Sequence, residues 1–106
     1  MKCVIVESPY AGDVEGNVAY ARECVKHSLS LGEAPIASHL LYTQAGVLDD
    51  QDPDQRWQGI QAGLAWRAVM AYAVFYIDKG WSEGMLAARD IYLREGRYYQ
   101  VRTLHR

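Results

Sequence analysis

The first apolar run of the chain, Val4-Ile5-Val6, is continuous and β-branched instead of alternating with polar residues. Such a run suits a strand covered on both faces, as in a parallel sheet layered between helices. A parallel sheet needs helical crossovers, and the downstream pattern supplies them. Gly12 permits a sharp turn, Asp13 stands as an N-cap, and Val14, Val18, Ala21, Val25 and Leu29 recur at spacings of three and four up to a stop at Gly32. Ala34-Pro35-Ile36-Ala37 is a short second strand, which its proline assigns to a sheet edge. Asp52-Pro53 opens a second helix with Trp57, Ile60, Leu64 and Ala68 as its expected buried stripe. Ala73-Val74-Phe75-Tyr76-Ile77 is the third strand. Ser82 then caps a helix that runs through Met85, Ala88 and Tyr92 to Glu95 and stops at Gly96, and Tyr98 to Leu104 alternates as the last strand.

Strands alternating with helices in this way predict one α/β domain over residues 1–106: a three-layer, flavodoxin-like parallel sheet of about four strands, order 2-1-3-4, with helices on both faces. At 50% hydrophobic and 23% charged residues the chain has the composition of a globular domain, and it shows no repeat, linker or low-complexity tract. In open parallel sheets ligands sit beyond the carboxyl ends of the strands where the strand order reverses, here between strands one and three. The loops meeting there are Glu7 to Asp13 and Asp78 to Gly84. The long connection from Ser38 to Asp52, with His39 and Tyr42 near its start, overhangs the same edge. Such a length points to a working loop. Leu40, Leu41 and Val47 are its expected anchors, and Asp49-Asp50-Gln51-Asp52 its unanchored tail, ordered over a ligand or a neighbouring subunit.

Several function classes are excluded. Eleven basic against 13 acidic residues give a net charge of -2, which offers no basic field for nucleic acid. The longest apolar stretch, Ala62 to Ile77, is broken by Arg67 and falls short of the roughly 20 residues of a membrane span. Met1 to Glu7 reaches an acid too early for a signal peptide, so a cytoplasmic location is expected. Cys3 and Cys24 read as two buried thiols. The phosphate-binding glycine signatures are absent and no cofactor is implied. Asp50, Asp52 and Asp54 imitate the start of a calcium loop, but Gln55 and Gln61 stand where glycine and a bidentate glutamate are needed, so a solvated acidic loop is expected and no metal. Gly80-Trp81-Ser82-Glu83-Gly84 matches the G-x-S-x-G elbow, yet the only later histidine is His105. A glycine-flexed turn with an N-cap explains it, its amides suited to a hydroxyl or an anion. His27, beside Lys26, is expected on the exposed side of the first helix.

Ser8-Pro9-Tyr10-Ala11-Gly12, the segment Asn17 to Arg22, and Asp78-Lys79-Gly80-Trp81-Ser82-Glu83-Gly84-Met85 together resemble the nucleoside 2-deoxyribosyltransferase-like superfamily, in particular small uncharacterised bacterial and phage proteins of that fold. The resemblance implies a nucleoside or nucleotide ligand, with ribosyl transfer or N-glycosidic hydrolysis as the chemistry. In the superfamily's enzymes a nucleophilic glutamate directly follows a Gly-Met-like pair. Here Leu86 follows Gly84-Met85, and leucine can neither attack an anomeric carbon nor move a proton. Glu83 and Glu7 remain as candidate catalytic carboxylates. Ser8, Tyr10, Gly12, Asn17, His39, Tyr42, Asp78, Gly80, Ser82, Gly84 and Met85 are the candidate ligand-binding residues. Asp78 would orient a hydroxyl, Ser82 and the amides near Gly84 would hold a phosphate or hydroxyl, and Tyr10 and His39 would contact the base. The expected function is nucleoside or nucleotide binding with weak N-glycosidase activity. The alternative is a non-catalytic protein that sequesters a nucleotide or regulates a partner. Trp57, Trp66, Met70, Tyr72 and Trp81 exceed what one small core readily covers, which predicts a homo-oligomer, at least a dimer.

Overall fold

Four parallel strands pair in the order β2-β1-β3-β4 in a computed structural model that describes residues 1–104. β1 spans Cys3–Glu7, β2 Ala34–Ile36, β3 Tyr72–Tyr76 and β4 Tyr99–Arg102. The expected architecture and strand order hold; His105 lies outside the described residues. β1 is central, with Val4 opposite Pro35 on one side and Tyr72 on the other, and Val4, Ile5 and Val6 are buried as a doubly covered strand requires. Pro35 lies on edge strand β2, where its missing N–H costs no ladder bond.

The crossovers are α1 (Val14–Ser30), α2 (Ser38–Leu41), α3 (Pro53–Ala65) with a 3-10 turn at Trp66–Ala68, and α4 (Glu83–Arg94). Asp13 caps α1 by accepting from the Gly16 N–H at 3.1 Å, and Ser82 caps α4 by accepting from the Met85 N–H at 3.2 Å. Gly12 takes φ +93°, the left-handed turn that lets β1 lead into α1. Two cores result. Val4, Val6, Val74 and Tyr76 meet Tyr20 and Cys24 of α1 on one face of the sheet. Ile5, Ala73 and Phe75 meet Met85, Ala88 and Tyr92 of α4, with Leu64 of α3, on the other. No helix among the described residues is long and apolar enough to cross a membrane.

Several side chains depart from the expected pattern. α1 buries Asn17, Tyr20, Ala21, Cys24 and Ser28, while Leu29 is 52% exposed. The polar members can face inward because each has a partner, as when the Ser28 hydroxyl donates to Glu33 Oε1 at 2.8 Å. Glu33 is buried and bonded by the Arg102 guanidinium at 2.7 and 2.6 Å and by the Tyr72 hydroxyl, and the arginine holds its carboxyl down at about pH 2. His27 is not on the open side: its Nδ1 lies 2.9 Å from the Tyr76 hydroxyl. Cys24 is buried but Cys3 is exposed. α3 has no buried residue, and Trp57, Ile60 and Ala68 are exposed. In the connection, Leu40 packs on the core, but Leu41 and Val47 are exposed. Its acidic tail is instead tied by hydrogen bonds, the Asp49 N–H donating to Gln55 Oε1 at 2.7 Å. Of the five residues expected on an association surface, Tyr72 is buried, Met70 is half-buried against the core and Trp81 packs on Phe75 at 5.2 Å between centroids, leaving Trp57 and Trp66 as the exposed pair.

Candidate functional site

A cavity of about 520 Å³ opens at the carboxyl ends of β1 and β3, within the range of small-molecule sites. The end of β1 and its following loop contribute Glu7, Ser8, Tyr10 and Gly12; α2 and the residues after it contribute His39 and Tyr42; the start of α4 contributes Ser82, Glu83, Gly84 and Met85. All ten are among the residues the sequence singled out, and they converge from three segments far apart in the chain. Asn17, Asp78 and Gly80 are not in the lining.

The three outliers act structurally. The Asn17 amide donates to the carbonyls of Tyr10 and Ala11, both at 3.0 Å, and its oxygen accepts from Lys79 Nζ at 3.1 Å. It therefore fixes the loop that carries Tyr10 without facing the cavity. Asp78 accepts from the Tyr20 hydroxyl at 2.6 Å and from the Leu104 N–H at 3.0 Å, so its carboxylate braces α1 and the chain after β4 against the end of β3, where the expectation was a free acceptor for a sugar hydroxyl. Gly80 takes φ +82° in the turn after β3. Leu86, at the position the resemblance gives to a nucleophile, is 39% exposed and off the cavity, whose α4 wall continues through Ala87 and Ala88.

The polar chemistry of the interior is concentrated in three neighbours. The Ser8 hydroxyl is 3.0 Å from His39 Nε2. His39 Nδ1 is buried with no partner among the described residues, and burial pushes the imidazole down to about pH 4, so the ring is neutral at pH 7. Glu7 projects to the same face as Ile5 by strand alternation, under α4, and burial alone raises its carboxyl to about pH 7. Ser82 is less available than expected. Its hydroxyl already accepts from Met85 and its carbonyl from the Leu86 N–H at 3.0 Å.

A further wall was not anticipated from the sequence: Trp57, Gly59, Ile60, Gly63 and Leu64 of α3, with Leu48, Asp50, Gln55 and Arg56, also line the cavity. The apolar stripe of α3 was visible, but Trp57 and Ile60 border the cavity and only Leu64 also reaches the core on the sheet. Gly59 and Gly63 were the available signal, because glycines one turn apart inside a helix mark a close approach. A Cβ on Gly63 would lie 2.7 Å from Ser38 Oγ, so the glycine lets α3 rest on α2.

No curated protein matches the chain. Residues 2–102 match the family model described as a domain of unknown function, DUF7768, and a match over nearly the whole length places this chain, with its four-stranded parallel sheet and its carboxyl-edge cavity, in the DUF7768 family.

Proposed function

We propose that this is a nucleoside-binding domain of the deoxyribosyltransferase-like kind, with weak N-glycosidase activity. The observation that carries the proposal is Glu7: a carboxyl at the carboxyl end of the central strand, half-buried in an aromatic-walled cavity and poised near neutral pH. Perturbed carboxyls in clefts of this kind mark working sites. Tyr10, Tyr42 and Trp57 supply flat apolar surface for a base, and Ser8 with His39 supplies hydroxyl and imidazole partners for a base edge or sugar. The charge inventory favours a nucleoside over a nucleotide, since a phosphate would meet Glu7, Asp50 and Glu83 with Arg56 as its single counter-charge in the lining.

In hydrolysis, the ionised Glu7 would take a proton from water as the water oxygen adds to C1′, while the C1′–N bond breaks with its electron pair passing to the base. A neutral base also needs a proton as it leaves. One interior carboxylate serves one role at a time, and His39 is a poor donor at neutral pH. Slow turnover follows. Sequestration without chemistry is the second proposal, favoured by Ala87 and Ala88, which give the α4 wall no carboxylate beyond exposed Glu83.

Incubation with ribo- and deoxyribonucleosides, with free base followed by chromatography and melting temperature in parallel, tests both. A nucleoside at 100 times its dissociation constant adds about 2.7 kcal/mol to the native state. Base release that vanishes in Glu7→Gln while the melting shift persists supports hydrolysis; a shift without release supports sequestration. No shift with any nucleoside overturns both.

A further inference from the structure

The charged groups of the cavity differ in exposure. Glu83 and Arg56 are exposed at its mouth, where water screens them, and Asp50 is half-buried beside them. Glu7 and neutral His39 are half-buried too, and no half-buried side chain of the lining is cationic. Tyr10, Tyr42 and Trp57 line the same space. A carboxyl in such a place is costly unless something positive comes to it, and no side chain of the lining does so from within.

Resting on the nucleoside reading, we infer that the cavity selects ligands whose heteroaromatic ring carries a positive charge, with Glu7 as counter-ion and the three aromatic side chains as cation-binding walls. Rings of this type are attracted to aromatic faces and carboxylates together. The inference also meets the shortage of proton donors. When the base is cationic, the electron pair of the breaking C1′–N bond neutralises it, so it leaves without a proton from the protein, and Glu7 is free to receive the proton of the attacking water.

A pH signature follows. Tyr92 of α4 interacts with Glu7 electrostatically, and the titratable or charged groups that line the cavity with it are His39 of α2, Tyr10 of the loop after β1, Tyr42, Glu83, Asp50 and Arg56. Tyr92 is pushed up to about 12 and His39 down to about 4, so neither titrates between pH 6.5 and 8.5, where Glu7 does. A cation must find Glu7 ionised and binds better as pH rises through 7. A neutral ring of the same outline gains nothing from that ionisation.

The test is calorimetric titration of the whole chain at pH 6.5 and 8.5 with four probes: nicotinamide riboside, a permanent cation; its neutral dihydro form; 1-methylnicotinamide; and nicotinamide. The cationic riboside should bind at least tenfold more tightly than its dihydro form at pH 8.5, with a smaller gap at pH 6.5. Glu7→Gln should close the gap and leave binding of the dihydro form. Should that variant misfold, wild-type protein still decides: at pH 6.5 the cation must release protons on binding, read as a heat that differs between phosphate and Tris buffers. Equal affinity for the two ribosides at both pH values overturns the charge selection and leaves nucleoside binding standing. Binding of 1-methylnicotinamide but neither riboside overturns the nucleoside reading and keeps the cation site. Binding of none of the four overturns both.

Discussion

Replacing Glu7 by glutamine should stabilise the protein at alkaline pH and do little at acid pH. In the unfolded chain this carboxyl ionises near 4.5, and in the native state near 7. Between those values the native state keeps a proton that the unfolded state has released, so stability falls as pH rises from about 4.5 to about 7 and stays lowered above. At about 1.4 kcal/mol per pH unit the full shift is worth about 3 kcal/mol, and because the carboxyl borders an open cavity, about 2 kcal/mol is the better figure. Glutamine has the same shape and no titration. Urea denaturation of both proteins at pH 4.5 and pH 8.0 should therefore give nearly equal stabilities at the lower pH and a glutamine variant about 2 kcal/mol more stable at the higher, roughly 10 °C in melting temperature for a domain this size. His39 has an opposite dependence, since its lowered ionisation removes stability as pH falls from 6.5 towards 4, but it is common to both proteins and cancels in the difference. A gap of the same size at both pH values would refute the assignment of a desolvated carboxyl to Glu7. So would a glutamine variant less stable than wild type at pH 8.0.

Gly63→Ala should cost about 1 kcal/mol despite alanine's better helix propensity, because the new methyl would meet Ser38 Oγ at 2.7 Å; in a Ser38→Ala background the same change should turn stabilising, and denaturation of the four proteins checks the reversal. Asp78→Ala should lower stability by about 1.5–3 kcal/mol through the hydrogen bonds from Tyr20 and Leu104, and leave nucleoside affinity of the folded protein unchanged. Lost affinity at unchanged stability would return Asp78 to the site.

What the sequence made legible was local or periodic. Asp13 and Ser82 cap the helices they were expected to cap, Pro35 marks the edge, and the Val4-Ile5-Val6 run is the doubly covered strand. The topological rule placing ligands at the reversal of strand order then led to Glu7, Ser8, His39 and the start of α4, which border one cavity. What stayed hidden depends on partners distant in the chain. Asp78 sits at the end of β3 as expected, but its engagement by Tyr20, 58 residues away, has no local signature. The inward face of α1 was misjudged for the same reason, because Ser28 and Tyr20 are buried only by virtue of Glu33 and Asp78. A helical stripe, finally, tells which side of α3 is apolar but not whether protein or open space lies beyond it.

Two local rules are broken together at the cavity. Much of the interior satisfies its polar groups closely: Glu33 has Arg102, Tyr72 and Ser28, Asn17 has two carbonyls and Lys79, and His27 has Tyr76, with Arg89 Nε a buried exception outside the cavity lining. At the cavity Glu7 is half-buried with its ionisation forced upward, His39 Nδ1 has no partner among the described residues, and Trp57 is 62% exposed on a helix with no buried residue. A buried charge and an exposed aromatic wall are each destabilising, and each would be relieved by one ligand that is flat, apolar at its faces and polar or positive at one edge. Sequences that fold well depart from local consistency chiefly where function requires it. The departures at Glu7, His39 and Trp57 meet in the cavity at the carboxyl edge between β1 and β3, so the cavity is a part of the molecule whose composition the stability of the fold does not account for.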